Sequence, residues 1–532
     1  MNRLRSWLPW LAGPVSVSLV VAALAPGGAF WPAFGGYLMI CLIGAGLLWA
    51  GWRATLDERT PRMVVFAVLA GLIVRLFVGV GLQLALPELG YDTSPQNAGY
   101  VYYDAYARDT DAWARGRSDQ ALTSAFLDRK VSDQYGGLLF ISAAAYRYLS
   151  EGVHRPLLVM LLAVAVSSLA ILFAWGFAAM TLGEAAGVLA AWIVALYPEA
   201  VLLGASQMRE AFTIPGLALA LFGYARLRTG RWRSGMSAVV LGVGLALFMS
   251  PPFGFAIAVL VGGLWLIENR LSRRNVGWLL AGMAGLALLG LALTWLAWSS
   301  VGGLPESGPL GLLVSWFDAG AAFQLAELER GSGWVQKLFE LTPAWAHMPL
   351  AVVYGLTQPF LPAALADNSG APIWQAIAIW RAIGWFALLP LMLYGAVAAF
   401  RADRRRRLLA FLAVVVWLVA IVASFRAAGD QWDNPRYRAA IIVPQAALAA
   451  WAVVNARRGA DPWLRRSVWL VAGPTLLLLH WYVGRYYATP RLELFLTLGL
   501  AALWALGVLV YGFWTDRRRS AETGLTGGAA EV

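Results

Sequence analysis

VVFAVLAGLIVRLFVGVGLQLAL, residues 64–86, decides the fold. It holds 23 residues and one charge, Arg75. Roughly 20 apolar residues in a helix suffice to cross the hydrocarbon of a bilayer, so this stretch reads as a membrane-crossing helix. Runs of the same kind fill the chain on both sides of it. They lie at about 7–25, 31–52, 63–86, 156–180, 185–205, 210–226, 235–250, 252–268, 276–299, 376–400, 408–426, 439–456, 467–485 and 492–514, fourteen in all. The 532 residues are 60% hydrophobic and only 13% charged, with mean hydropathy +0.65. A soluble chain carries about a quarter charged residues, so the soluble function classes fall away. The fold class expected is an all-α polytopic membrane protein of about fourteen transmembrane helices with two long outer loops.

The order of the helices is tested by where the cations fall. Of 41 basic residues only Lys130 and Lys337 are lysine, and the net charge is +12. An arginine bias of this kind follows base composition and implies no nucleic-acid partner. With the basic start Met1–Arg5 in the cytoplasm, alternation places Arg53–Arg62, Arg226–Arg233, Arg270–Arg274, Arg401–Arg407, Arg457–Arg466 and Arg517–Arg519 on that same side. That is the pattern of the positive-inside rule. Both termini are therefore expected in the cytoplasm of a bacterial plasma membrane, with 87–155 and 300–375 facing outward. Residues 346–363 are apolar too, but a crossing there would force RADRRRR at 401–407 outside. They read as re-entrant or interfacial, and Pro349, Pro359 and Pro362 favour a broken helix. Residues 316–341 have apolar side chains at helical spacing and read as an amphipathic surface helix. The N-terminus has the charged start of a signal peptide and also fits a first membrane helix; it reads as a retained anchor. The tail from Ser520 is short and polar and reads as disordered. The expected segments are 1–62 with two helices, a core at 63–456, two further helices in 457–514, and a cytoplasmic tail at 515–532.

Charge is costly near a bilayer, so the charged groups outside the inner clusters are the candidates for chemistry. The first outer loop gathers Asp104, Asp109, Asp111 and Asp119 within sixteen residues, among Tyr102, Tyr103, Tyr106 and Trp113. A carboxylate walled by aromatics above the membrane suits a general base; acids capping a solvated helix are the plain alternative. ALYPEAVLLGASQMREAF, 195–212, carries Glu199, Arg209 and Glu210 across a helix junction. Arg209 and Glu210 are adjacent and so point to different sides of a helix. SFRAAGDQWDNPRYRAAIIVP, 424–444, is a short outer hairpin with Arg426, Asp430, Asp433, Arg436, Tyr437 and Arg438. Arginine there opposes the sidedness rule, and its planar fork suits a phosphate; an Arg–Asp brace is the alternative. On a helix Arg436 and Arg438 diverge by about 200°. Both reach one phosphate only if the chain is not helical there, and Pro435 favours an extended entry at Asn434. Arg75, deep in its helix, is either functional or architectural. The single cysteine, Cys41, excludes an internal disulfide, and three scattered histidines offer no metal cluster. No phosphate-binding loop, HExxH or dinucleotide fingerprint is present.

In order along the chain stand a helix with Arg75, an outer loop with Asp104 followed by Tyr106, Thr110, Trp113 and Gly116, a helix ending in YPE that runs into SQMREAF, and PRYR with Pro444 six residues beyond Arg438. Over about 63–456 this resembles the GT-C superfamily of polytopic glycosyltransferases, and most of all bacterial members related to protein O-mannosyltransferases and lipid A aminoarabinose transferases. The resemblance implies transfer of a sugar from a polyprenyl-phosphate carrier, on the outer face, to a protein, lipid or glycan acceptor, with inversion at the anomeric centre. It implies Asp104 as base, with Asp109 and Asp111 as rivals. It implies Glu210 as the second acidic position, and Arg436 and Arg438 around Tyr437 as the hold on the lipid phosphate, with Arg75 and Arg209 in reserve. Two departures stand out: two helices precede the region, and Asp104 lies nearer the tyrosine than the commonest spacing. No nucleotide or redox cofactor is needed, and no convincing ligand set for a divalent metal stands out. The competing readings are a flippase or transporter for a lipid-linked glycan and a ligase using a polyprenyl-diphosphate donor.

Overall fold

The computed structural model describes residues 2–25, 27–127, 135–268, 333–402, 405–427 and 429–527. Within them every regular element is a helix. Helices stand at thirteen of the fourteen expected positions; the other, 276–299, lies outside the described residues, as do the Arg270–Arg274 cluster and most of the expected surface helix at 316–341. Among the described residues nine helices are each long and apolar enough to cross a membrane, and eleven spans result if two bent pairs count as one crossing apiece. The protein is a multi-pass membrane protein by length and composition of its helices. It divides into two compact units, Met1–Ser315 with Arg436–Ala447, and Trp316–Pro435 with Leu448–Val532.

The first unit contains α1 (Asn2–Leu24), α2 (Phe30–Thr55), α3 (Arg62–Leu89), α4 (Tyr103–Gly116), α5 (Gly137–Leu149), α6 (Leu157–Leu182), α7 (Glu184–Leu196), α8 (Pro198–Gly204), α9 (Glu210–Arg228), α10 (Trp232–Met249) and α11 (Pro251–Glu268). Helix α6 is apolar all round and is buried along most of its length, among α2, α3, α7 and α9. A helix with no polar face belongs in the middle of a bundle. Helices α9 and α10 close on each other through glycine. A Cβ on Gly216 would lie 2.8 Å from the Gly242 carbonyl oxygen, and one on Gly223 would lie 2.6 Å from that of Gly235. Both pairs repeat at seven residues, two helical turns. This is the small-residue contact by which membrane helices approach without a hydrophobic drive.

The expected single helix over 185–205 is broken. Helices α7 and α8 meet at a bend of 59°. Pro198 forces the break: Tyr197 before it is extended at φ −61°, ψ 121°, and Pro198 has no N–H for the carbonyl of Val194. Arg75 supplies what is missing. Its Nη2 donates to the Val194 oxygen at 2.9 Å, and its Nη1 to those of Ala195 at 3.0 Å and Gly71 at 3.1 Å. These are the contacts expected of the architectural role open to Arg75.

The second unit contains α12 (Gly333–Glu340), α13 (Ala344–Leu356), α14 (Leu361–Ala366), α15 (Pro372–Arg401), α16 (Arg406–Ala427), most of α18 (Ile442–Gly459), α19 (Trp463–Tyr486) and α20 (Leu494–Gly527). Residues 346–363 are broken between α13 and α14, at Pro359, while Pro349 is carried inside α13 and Pro362 opens α14; Trp385 of α15 donates to the Leu356 oxygen at the break, at 2.8 Å. Helix α20 runs through the tail as far as Gly527, past Ser520 where disorder is expected.

One local expectation is corrected. Asp433–Ala439 forms a helix, α17, joined to α18 at 72°. Pro435 sits in its first turn, where a missing N–H costs nothing. Asp430 accepts from the backbone N–H groups of Trp432 (2.6 Å) and Asp433 (2.8 Å), fixing the turn that starts it. Arg436 and Arg438 are thus helical and diverge.

Candidate active site

Helix α4 owes its place to its two ends. At its C-terminus Arg147 of α5 donates to the oxygens of Arg115 (3.0 Å), Gly116 (3.3 Å), Ser118 (2.7 Å) and Gln120 (2.9 Å), taking up carbonyls that the last turn leaves free. Gly116 permits this approach, since a Cβ there would stand 2.9 Å from the Cβ of Tyr146. At the N-terminus Asp104 occupies the first turn, where a carboxylate meets the positive end of the helix.

Along α4 the acids separate. Asp104 and Asp111 are seven residues apart and share a face, whereas Asp109 lies about 140° round from Asp104. Asp104 is open, its side chain 45% exposed. Its Oδ2 accepts from Nη1 of Arg436 at 3.1 Å. The Nε of the same guanidinium pairs with Oε1 of Glu210 at 3.3 Å. One arginine thus holds two carboxylates that are more than a hundred residues apart in sequence, one from the start of α4 and one from the start of α9.

The other oxygen of that glutamate, Oε2, is buried and has no donor among the described residues. Next to it in sequence, Arg209 lies over the ring of Tyr135 at 4.9 Å, and its Nη1 is buried with no acceptor among the described residues. Tyr437 lies beside Arg436, whose guanidinium carbon is 5.3 Å from the ring centre. Arg438 is buried on another side of α17, only 1% exposed. Asp111 is half-buried and Asp119 exposed. Among the described residues no group of three or more His, Cys, Asp or Glu could hold a metal ion.

Asp109 has a different environment. Its side chain is fully buried and accepts from Tyr100 Oη at 2.5 Å and from Tyr146 Oη, and its Oδ2 lies 2.7 Å from His154 Nε2. Trp113 stacks on the imidazole with ring centres 5.1 Å apart. Burial, followed by the Asp109 charge, pushes both tyrosine hydroxyls well above their ordinary pKa. Gln207 lies against both hydroxyls and donates to the Pro156 oxygen at 2.8 Å, while Arg108 reaches the Gln207 oxygen at 3.3 Å. The sequence reading names Asp109 but not Tyr100, Tyr146, His154 or Gln207. They come from four segments with no common pattern; only the tyrosine and histidine types near a buried acid signal them.

The fold and this site define a helical multi-pass membrane protein with two carboxylates gathered on one arginine at a helix junction. No protein-family model matches the chain, and no curated protein sequence matches it. Among solved structures it is similar to the oligosaccharyltransferase AglB of the archaeon Archaeoglobus fulgidus in complex with an inhibitory peptide and a dolichol-phosphate, at 16% identity and TM-score 0.38, over 85% of this chain and 56% of that one. It is similar also to an apo form of the Archaeoglobus fulgidus oligosaccharyltransferase, at 16% identity and TM-score 0.39, over 83% and 55%. The chain thus spans a little over half the length of these structures.

Proposed function

We propose that the protein is a membrane glycosyltransferase that moves a sugar from a polyprenyl-phosphate carrier to an acceptor on the extracytoplasmic face. The observation that carries this reading is the single guanidinium of Arg436 between Asp104 and Glu210; Arg209, next to Glu210 in sequence, has a buried Nη1 with no acceptor among the described residues. Such a transfer needs two things. The acceptor hydroxyl or amine must lose its proton, and the departing phosphate must be neutralised. Carboxylates serve the first need and arginines the second.

A phosphate that arrives at Arg209 and Arg436 supplies the acceptor that Nη1 lacks. It also competes with the two carboxylates for Arg436. Asp104, the more open of the two, is then freed as the base; Glu210, with Oε2 undonated, is placed to receive a hydrogen bond from the acceptor or sugar. The acceptor oxygen or nitrogen attacks the anomeric carbon from the face opposite the phosphate. Its proton passes to Asp104, and the bonding pair of the broken C–O bond leaves with the phosphate. The anomeric centre inverts. Arg438, turned away on α17, is a structural cation in this scheme.

Purified protein in lipid vesicles with a labelled polyprenyl-phosphate sugar tests the reading. Release of the lipid phosphate with the label on an acceptor is the expected result. Movement of intact donor across the bilayer without release marks a flippase instead and defeats the proposal. Asp104→Asn should lower transfer by about 10²–10⁴-fold, the range of a general base; full activity in that variant, with loss in Asp111→Asn, moves the base seven residues along the same face.

A further inference from the structure

Asp109 lies outside the Arg436 cluster, yet three side chains hold it. Its donors come from three directions: Tyr100 from the loop that leads into α4, Tyr146 from α5, and His154 from the turn before α6. Both tyrosine hydroxyls donate to Asp109, and a carboxylate only accepts, so the contact at 2.7 Å assigns Nε2 of His154 as a donor. The ring is fixed in place by the Trp113 face on one side and the Tyr146 edge, 5.3 Å between centres, on another.

The same network reaches Glu210. Gln207 stands three residues before it, bonds to the Pro156 oxygen, lies against both tyrosine hydroxyls, and has its own carbonyl held by Arg108. One end of the network therefore holds the helix that carries Asp104, and the other holds the turn that delivers Glu210. Asp104 is five residues, about 7.5 Å of helix axis, from Asp109, so a small rotation of α4 shifts its carboxylate off Arg436.

We propose that Asp109 and His154 are a positioning dyad, which seats α4 against the turn before α9 so that Asp104 and Glu210 meet on Arg436. The reaction it serves is the transfer proposed above, and the dyad rests on that reading for its purpose. His154 acts through its Nε2 donor and touches no substrate. Asp109, fully buried, is a positioning residue and not a rival base.

The test separates this from simple bracing. His154→Gln keeps an N–H where Nε2 stood; His154→Phe keeps the ring and loses the donor. Transfer is measured for both in the full chain, beside their melting temperatures. Misplacement of a reacting group by an ångström costs about 10²-fold. The Phe variant should lose kcat by about that factor with KM for the donor little changed, and the Gln variant should recover most of it. Equal kcat in the two variants, or a fall in melting temperature with kcat intact, overturns the proposal. A histidine labelled with ¹⁵N gives a second readout that needs no activity. The chain has only three histidines, so the His154 ring can be assigned by substitution of the other two. Its signals should report hydrogen on Nε2 and lose that preference in Asp109→Asn. A ring with hydrogen on Nδ1, or one indifferent to Asp109→Asn, also overturns the dyad. Wild-type protein that transfers nothing defeats the transferase reading, and the ring spectra still decide whether Asp109 orients His154.

Discussion

Arg209 and Arg438 look alike in sequence and differ in burial. Arg209 is half-buried, with an Nη1 that has no acceptor among the described residues; Arg438 is almost wholly enclosed. Arg209→Gln should therefore weaken binding of the polyprenyl-phosphate donor by about 10- to 100-fold, the worth of a charge-assisted hydrogen bond, with the melting temperature unchanged. Arg438→Gln should do the reverse, since shortening a side chain that is only 1% exposed leaves a cavity that lowers the melting temperature. Donor titration and thermal unfolding of both variants check this. Tyr100 and Tyr146 give a pH prediction. Their hydroxyls are held protonated in the fold, above the ordinary tyrosine value near 10. A raised pKa stabilises the fold fully below the unfolded value and less as pH climbs past it. The melting temperature should therefore fall steeply above about pH 10, and less steeply in Tyr100→Phe; an equal slope in both counts against the Asp109 network. Asp104, Glu210 and Arg436 could be named from sequence because they are among the charges outside the inner clusters and the family resemblance singles them out. His154 could not: it lies 45 residues from Asp109, and nothing local to either residue marks the pairing.

Helices were the most legible elements, because each apolar run long enough to cross a bilayer has to be satisfied by its own backbone bonds. What the runs conceal is where a helix stops. Pro198 lies inside an apolar stretch and breaks it, while Pro435, which looks like a stop, sits in the first turn of a helix, at N3. The difference lies in what precedes each proline. Ahead of Pro198 is a full helix whose Val194 carbonyl loses its donor; ahead of Pro435 the chain is already turned by Asp430 and has no such bond to lose. The seam between α9 and α10 was equally silent, since glycine in a membrane helix carries no face of its own. It can be tested by contrast. Gly223→Ala would bring a Cβ to 2.6 Å from a carbonyl oxygen, whereas nothing lies within 4 Å of a Cβ at Gly244. Gly223→Ala should cost about 1–3 kcal/mol by overpacking, while Gly244→Ala should be neutral or gain up to about 1 kcal/mol in helix propensity. Thermal unfolding of the two in the same detergent decides it; equal melting temperatures remove the seam as a close contact.

For the whole molecule the first prediction concerns sidedness. With Cys41→Ser as background, single cysteines near 120 and 490 should react with an impermeant maleimide from outside the cell, and those near 60, 405 and 460 only after permeabilisation. Outside labelling near 405 would reverse the second unit and with it the reading of 346–363. The other consequence concerns how the chain is made. Arg75 is neutralised by carbonyls 120 residues downstream, at the broken end of α7. A growing chain emerges in order, so α3 reaches the translocon while its partner is still inside the ribosome. An arginine at mid-helix disfavours insertion by about 3 kcal/mol, and α3 must carry that penalty alone until α7 has been synthesised. Helix α3 should consequently enter the lipid late and together with α7, and a nascent chain stalled before residue 195 should leave α3 beside the translocon. Crosslinking of stalled chains measures this. Arg75→Leu should release α3 early and yet give a finished protein that melts lower, because the Val194 carbonyl is then orphaned. One side chain would thus slow the assembly of the molecule that it later holds together.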